Sequence, residues 1–135
     1  MYEYRGEVLR VIDGDSLVVE IDLGFRIKHT VVVRLAGIDA PEVVGESRAR
    51  GLAAARWIED TLKVLPHEDS AWSGEVVVRT MKNPGDKFGR WLGIVFHMVP
   101  VDPRNPSGAH VQSPESLNDL LVKSGHAKPY DGGKR

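Results

Sequence analysis

The chain of 135 residues contains no cysteine, so it has neither a disulfide framework nor a thiolate metal site, and its stability must come from packing. Aromatic residues make up only 7%. No apolar run approaches the roughly 20 residues of a membrane span. The opening Met1-Tyr-Glu-Tyr-Arg-Gly-Glu7 has no apolar stretch of the kind that leads a secreted chain. These absences lead us to expect a soluble, cytoplasmic protein without a membrane partner, suited to a phage or mobile element as well as to a cell. There is no surplus of either charge: eighteen Lys and Arg face nineteen Asp and Glu, a net charge of −1. A broad basic face for nucleic acid is therefore excluded, although local basic groups recur at Lys82, Lys87, Arg90, Lys123, Lys128, Lys134 and Arg135. Internal repeats and low-complexity blocks are also missing. The length fits a single domain with a true core, whose body we place at about 4–130 with a flexible tail over 131–135.

What is present begins with strands. Tyr2 to Ile12, Ser16 to Ile21 and Ile27 to Ala36 read as a meander joined by Asp13-Gly-Asp15 and by a break at Gly24. Leu52, Ala55, Ile58, Leu62 and Leu65 recur at helical steps, which predicts an amphipathic helix from Glu46 to Leu65, stopped by Pro66. Gly74 to Met81 and Arg90 to Val99 predict two more strands around an Asn83-Pro-Gly-Asp86 turn. Val101 to Gln112 reads as an irregular surface loop. Ser113 is placed as the cap of a last helix with an apolar stripe of Leu117, Leu120 and Leu121 and with Gly125 at its end. Five strands with one inserted helix and one following make an α+β chain. A small closed barrel suits strand apolar residues that face mostly one way. An SH3-like barrel competes on pattern alone.

Five charged residues in three blocks carry the chemistry. Asp15 lies in Val11-Ile-Asp-Gly-Asp-Ser16. Arg34, Asp39 and Glu42 lie in Val33-Arg-Leu-Ala-Gly-Ile-Asp-Ala-Pro-Glu42, and Arg90 ends Asp86-Lys-Phe-Gly-Arg90. Carboxylates gather hard divalent cations, and guanidiniums grip phosphate oxygens in a planar fork. Arg34 sits in an apolar strand, where it either snorkels to water from a sheet edge or finds anions. Pro41 holds the flanking carboxylates Asp39 and Glu42 in a fixed relation. Each block alone is an ordinary turn with solvated charges; the specific signal is their occurrence together. The histidines 29, 67, 97, 110 and 126 lack metal-ligand spacing. Trp57 reads as packing, and Trp72 and Trp91 as core or rim.

These three blocks, with Leu117-Asn-Asp-Leu-Leu-Val-Lys-Ser-Gly-His-Ala127, resemble the staphylococcal nuclease family from about Tyr4 to Tyr130. The resemblance implies an OB-fold, a five-stranded Greek-key barrel with an inserted and a C-terminal helix. It implies a Ca²⁺-dependent endonuclease that cleaves DNA and RNA to 3′-phosphate products. Separately, we expect a monomer that prefers unpaired strands. By matched position, Asp15 and Asp39 would bind Ca²⁺ through carboxylates and Ala40 through its carbonyl. Arg34, Glu42 and Arg90 would be catalytic, and Lys87 and Phe88 would lie by the nucleotide. Tyr130 is a further substrate-binding candidate outside that match. Ala40 stands where the family often has Thr, and Phe88 where it often has Tyr. The alternative is an OB-fold module that binds nucleic acid or protein without catalysis.

Overall fold

A computed structural model describes residues 2–41, 45–62, 74–81, 91–105 and 108–130. The meander forms as alternation predicts: β1 (Glu3–Asp13), β2 (Ser16–Asp22) and β3 (Lys28–Leu35) pair antiparallel in sequence order. A two-residue strand β4 (Ile38–Asp39) follows, then a 3₁₀ turn (Gly45–Ser47) and helix α1 (Arg48–Leu62). Strand β5 (Glu75–Thr80) returns beside β1, and β6 (Trp91–Pro100) lies beside β5. The sheet closes because β6 also pairs with β3, in parallel, through Val33↔Trp91, Arg34↔Leu92 and Leu35↔Gly93. Five strands thus form a closed mixed barrel with two helices, an α+β OB-fold; the SH3-like alternative is set aside. Strand β7 (His110–Gln112) extends β6, helix α2 (Leu117–Lys123) follows, and β8 (Lys128–Pro129) pairs with β4.

Period-two alternation fills the barrel. Leu17, Val19 and Ile21 of β2 point inward with Val33 and Leu35 of β3, Val76 and Val78 of β5, and Val95 of β6. Helix α1 packs on β1 and adds Ile58 and Leu62; α2 packs on β6 and adds Leu117 and Leu121. Each such side chain contributes about 1.5–3 kcal/mol on full burial. Trp57 packs against this core, as the sequence suggests, and Trp91 is half exposed on the rim.

Several local expectations change. The buried face of α1 is Gly51, Ala54, Ala55, Ile58 and Leu62, while Leu52 is exposed. At about 100° per residue, positions 51, 54 and 55 fall within about 60° of Ile58 around the helix axis, whereas Leu52 lies about 120° away. The helix begins at Arg48 after the 3₁₀ turn, not at Glu46. The expected irregular loop of 101–112 ends in β7, because pairing with Met98–Pro100 supplies hydrogen-bond partners that local composition does not reveal. The cap of α2 is Ser116, whose hydroxyl accepts from the Asp119 N–H at 3.1 Å; Ser113 lies upstream. Gly125 does end α2. It takes φ +82°, while the N–H groups of Gly125 and His126 donate to the carbonyls of Val122 and Leu121. Leu65, Pro66, Trp72, the 83–86 turn and the 131–135 tail lie outside the described residues.

At the β2–β3 turn, Phe25 and Arg26 both have positive φ, 53° and 62°, and the Ile27 N–H donates to the Gly24 carbonyl at 2.8 Å. This is the primed geometry that matches hairpin twist, made here by residues that favour it poorly.

Candidate functional site

Barrel closure carries three remote segments to one place. Arg34 stands opposite Ser16 on β2 and opposite Leu92 on β6, so it is central in the sheet and cannot snorkel from an edge. Its side chain is buried, with 8% of the residue exposed. Nη1 donates to the Leu35 carbonyl and Nη2 to the Ile38 carbonyl, each at 3.1 Å. These bonds aim the guanidinium back across the tight β3–β4 turn. Nη2 lies 3.8 Å from Asp15 Oδ2 and 3.7 Å from Asp39 Oδ1. The Tyr130 ring covers the other side, with Arg34 Cζ 5.6 Å from its centroid. Arg34 is therefore caged by two carboxylates, two carbonyls and a ring, and its fork keeps further N–H donors for a ligand.

Asp15 is equally fixed. The residue is 9% exposed. Its N–H donates to Asp13 Oδ1 at 3.0 Å, its Oδ1 accepts from the Ser16 hydroxyl at 3.3 Å, and its Oδ2 accepts from the Ala40 N–H at 3.1 Å. The last bond ties the β1–β2 turn to the segment after β4. Burial, with a hydrogen bond to Asp15 second, pushes the Asp13 carboxyl up to about 6. Gly14 is not the positive-φ turn residue its Asp-Gly-Asp context suggests. A Cβ there would sit 2.7 Å from the Cβ of both Ala40 and Ala54. Glycine is needed because α1 and the Ala40 segment press directly on the turn.

Asp13, Asp15, Arg34, Asp39 and Ala40 line a cleft of about 1100 Å³ that also takes in Val32, Pro41, Ser47, Arg50, His126 and Lys128. His126 is steadied by Trp57, with ring centroids 5.8 Å apart. Of the residues singled out from sequence, Asp15, Arg34, Asp39, Ala40 and Tyr130 meet here. Glu42, Lys87, Phe88 and Arg90 lie outside the described residues. Sequence reasoning missed Asn118. It is buried on α2, its Oδ1 accepts from the Val95 N–H at 3.1 Å, and its Nδ2 donates to the carbonyls of Ala36 at 2.8 Å and Gly93 at 3.1 Å. It fastens the end of β3 to β6 just past Arg34. The available signal was a polar residue in the apolar run Leu117-Asn-Asp-Leu-Leu121.

Among the described residues no group of three His, Cys, Asp or Glu is arranged around a metal position. The convergent oxygens of Asp15 and Asp39 nevertheless suit a hard cation. Such an ion takes about 6–8 oxygen ligands, and water and phosphate can fill the remainder.

A family model described as "Staphylococcal nuclease homologue" matches residues 32–134. The chain is 31% identical over 128 residues to a "Micrococcal nuclease" of Shigella flexneri, covering 95% of this chain and 59% of that protein. It is 32% identical over 131 residues to "Protein ParB" of Escherichia coli, covering 95% and 58%. To "Endonuclease YhcR" of Bacillus subtilis (strain 168) it is 29% identical over 133 residues, which cover 95% of this chain and 9% of that protein. The chain thus spans a little under six tenths of the first two relatives.

Proposed function

Since the chain belongs to the staphylococcal nuclease homologue family, we propose that it is a Ca²⁺-dependent nuclease that hydrolyses DNA and RNA to products with 3′-phosphate ends. The observation that carries this reading is the meeting of Asp15 and Asp39 on the buried guanidinium of Arg34. The named nuclease relatives support it. We take the substrate to be unpaired strands and the active form to be a monomer.

Hydrolysis builds negative charge on the non-bridging oxygens of the phosphodiester. Arg34 presents its free N–H donors to those oxygens, and because its carbonyl and carboxylate partners already hold it, little reorganisation is needed on binding. Arg90 supplies the second guanidinium in this reading, and Glu42 accepts a proton from the attacking water. The carboxylates of Asp15 and Asp39 and the carbonyl of Ala40 would hold the Ca²⁺. When bound, that ion supplies Lewis-acid stabilisation of phosphoryl oxygen charge. Tyr130, whose ring centroid lies 5.6 Å from Arg34 Cζ, contacts the nucleotide with Lys87 and Phe88 in this reading.

The test is cleavage of denatured DNA and of RNA with Ca²⁺, with Mg²⁺ and with chelator, beside Glu42→Ser. Cleavage with Ca²⁺ to 3′-phosphate ends, lost with chelator and in the variant, is the expected result. A folded chain inactive with every metal would leave a nucleic-acid- or protein-binding module.

A further inference from the structure

The cleft has a second set of charges that the reaction at Arg34 does not use. Asp13, Asp15 and Asp39 line it together with Arg34, Arg50 and Lys128, three acids and three bases among the described residues. Arg34 is already engaged by Asp15 and Asp39. Arg50, in the first turn of α1, and Lys128, in β8, are both exposed. Neither has an ion-pair partner among the described residues. Lys128 pairs directly with Asp39 across β4–β8, and directly opposed residues put their side chains on the same face. The Lys128 side chain therefore leaves the same face as Asp39. The cleft, at about 1100 Å³, also exceeds the roughly 300–1,000 Å³ of a site for one drug-sized molecule.

We propose that Arg50 and Lys128 form a second phosphate subsite, which holds the phosphate of a neighbouring nucleotide in the strand whose scissile phosphate lies at Arg34. The inference rests on the nuclease reading and makes the preferred substrate a polymeric strand, not an isolated diester. Two exposed cations on separate elements, α1 and β8, straddle a strand without committing to its bases, so the subsite is blind to sequence. Binding energy gained there, away from the reacting phosphate, lowers KM for long substrates only.

The experiment compares wild type with Arg50→Gln/Lys128→Gln. Affinity for a fluorescein-labelled single-stranded DNA decamer and for thymidine 5′-phosphate is measured in Ca²⁺ at several KCl concentrations. Cleavage of the decamer and of a chromogenic thymidine phosphodiester is measured in parallel. Both positions are exposed, and such substitutions usually leave stability within about 0.5 kcal/mol. In the double variant, KM and Kd for the decamer should rise about tenfold. The slope of log K against log[KCl] should become shallower by about 0.7, the value of one phosphate contact on a single strand. The mononucleotide and the small diester should respond as in wild type. An unchanged decamer affinity and salt slope would overturn the subsite. So would an equal loss on both substrates, which would put the two residues at the reacting phosphate. Failure of the nuclease reading is distinct: wild type would then cleave neither substrate, while the decamer affinities would still show whether the two cations hold a phosphate.

Discussion

Arg34 is held by two hydrogen bonds and two ion pairs within the protein. Its two carbonyl acceptors and two carboxylate neighbours fix a planar fork, and an ammonium on a flexible stem cannot reproduce that geometry. We expect Arg34→Lys to reduce turnover about 10²–10³-fold with the far-UV circular dichroism unchanged, by analogy with the loss of one transition-state donor. Arg90→Lys should fall by a similar factor if both guanidiniums share the developing charge. Near-normal kcat in both variants would remove them from the mechanism. Gly14 poses the opposite problem, since nothing of its own acts in the cleft. Adding one methyl, as in Gly14→Ala, drives Cβ into Ala40 and Ala54 at 2.7 Å. The expected loss is about 1–3 kcal/mol in urea unfolding, the usual cost of overpacking. Ala54→Gly in the same chain should restore part of it, and absence of any recovery would show that the helix does not set the clearance.

At the scale of elements, the hairpin turn and helix α2 show where local preference and tertiary need diverge. The Phe25-Arg26 turn uses two left-handed residues that each cost about 1–2 kcal/mol. An Asn-Gly pair adopts the same turn readily. Introducing it through Phe25→Asn and Arg26→Gly should raise stability by about 1–2 kcal/mol in chemical denaturation without touching the cleft. An unchanged midpoint would mean that the native turn carries no strain. Helix α2 does its main work through one polar side chain. Asn118→Leu removes three hydrogen bonds that join β3 to β6 and leaves their backbone partners buried. At about 1 kcal/mol per bond, the loss is about 3 kcal/mol. Thermal melting of the variant checks it, and a change below about 1 kcal/mol would show that water replaces the amide.

For the whole molecule, the parallel β3–β6 pairing determines both the fold and the site. It makes the sheet a barrel, removes β3 from the edge and leaves Arg34 facing the cleft with Asp15 and Asp39. No helix among the described residues is long and apolar enough to cross a membrane. The near-balanced charge of −1 implies that attraction for a polyanion is local to the cleft. Affinity for single-stranded DNA should therefore fall only modestly with salt. A log–log slope steeper than about −6 in a salt titration would contradict this and indicate a broad basic footprint.

Much of this was legible in the chain itself. Period-two alternation located five barrel strands, helical spacing located α1 and α2, and the three charged blocks pointed to the family. These are local signals, because the direction of each side chain along a strand or helix follows from backbone geometry alone. The same rules misplaced Leu52, missed β7 and explained Gly14 by a positive φ it does not adopt, since a buried face, a pairing partner and a close approach depend on segments far away in sequence. Only the tertiary structure decided that Asp15 and Asp39 meet on a buried Arg34, that Tyr130 covers it and that Asn118 fastens the closure. Contacts of that kind are set by how the sheet closes on itself, which no local stretch of residues encodes.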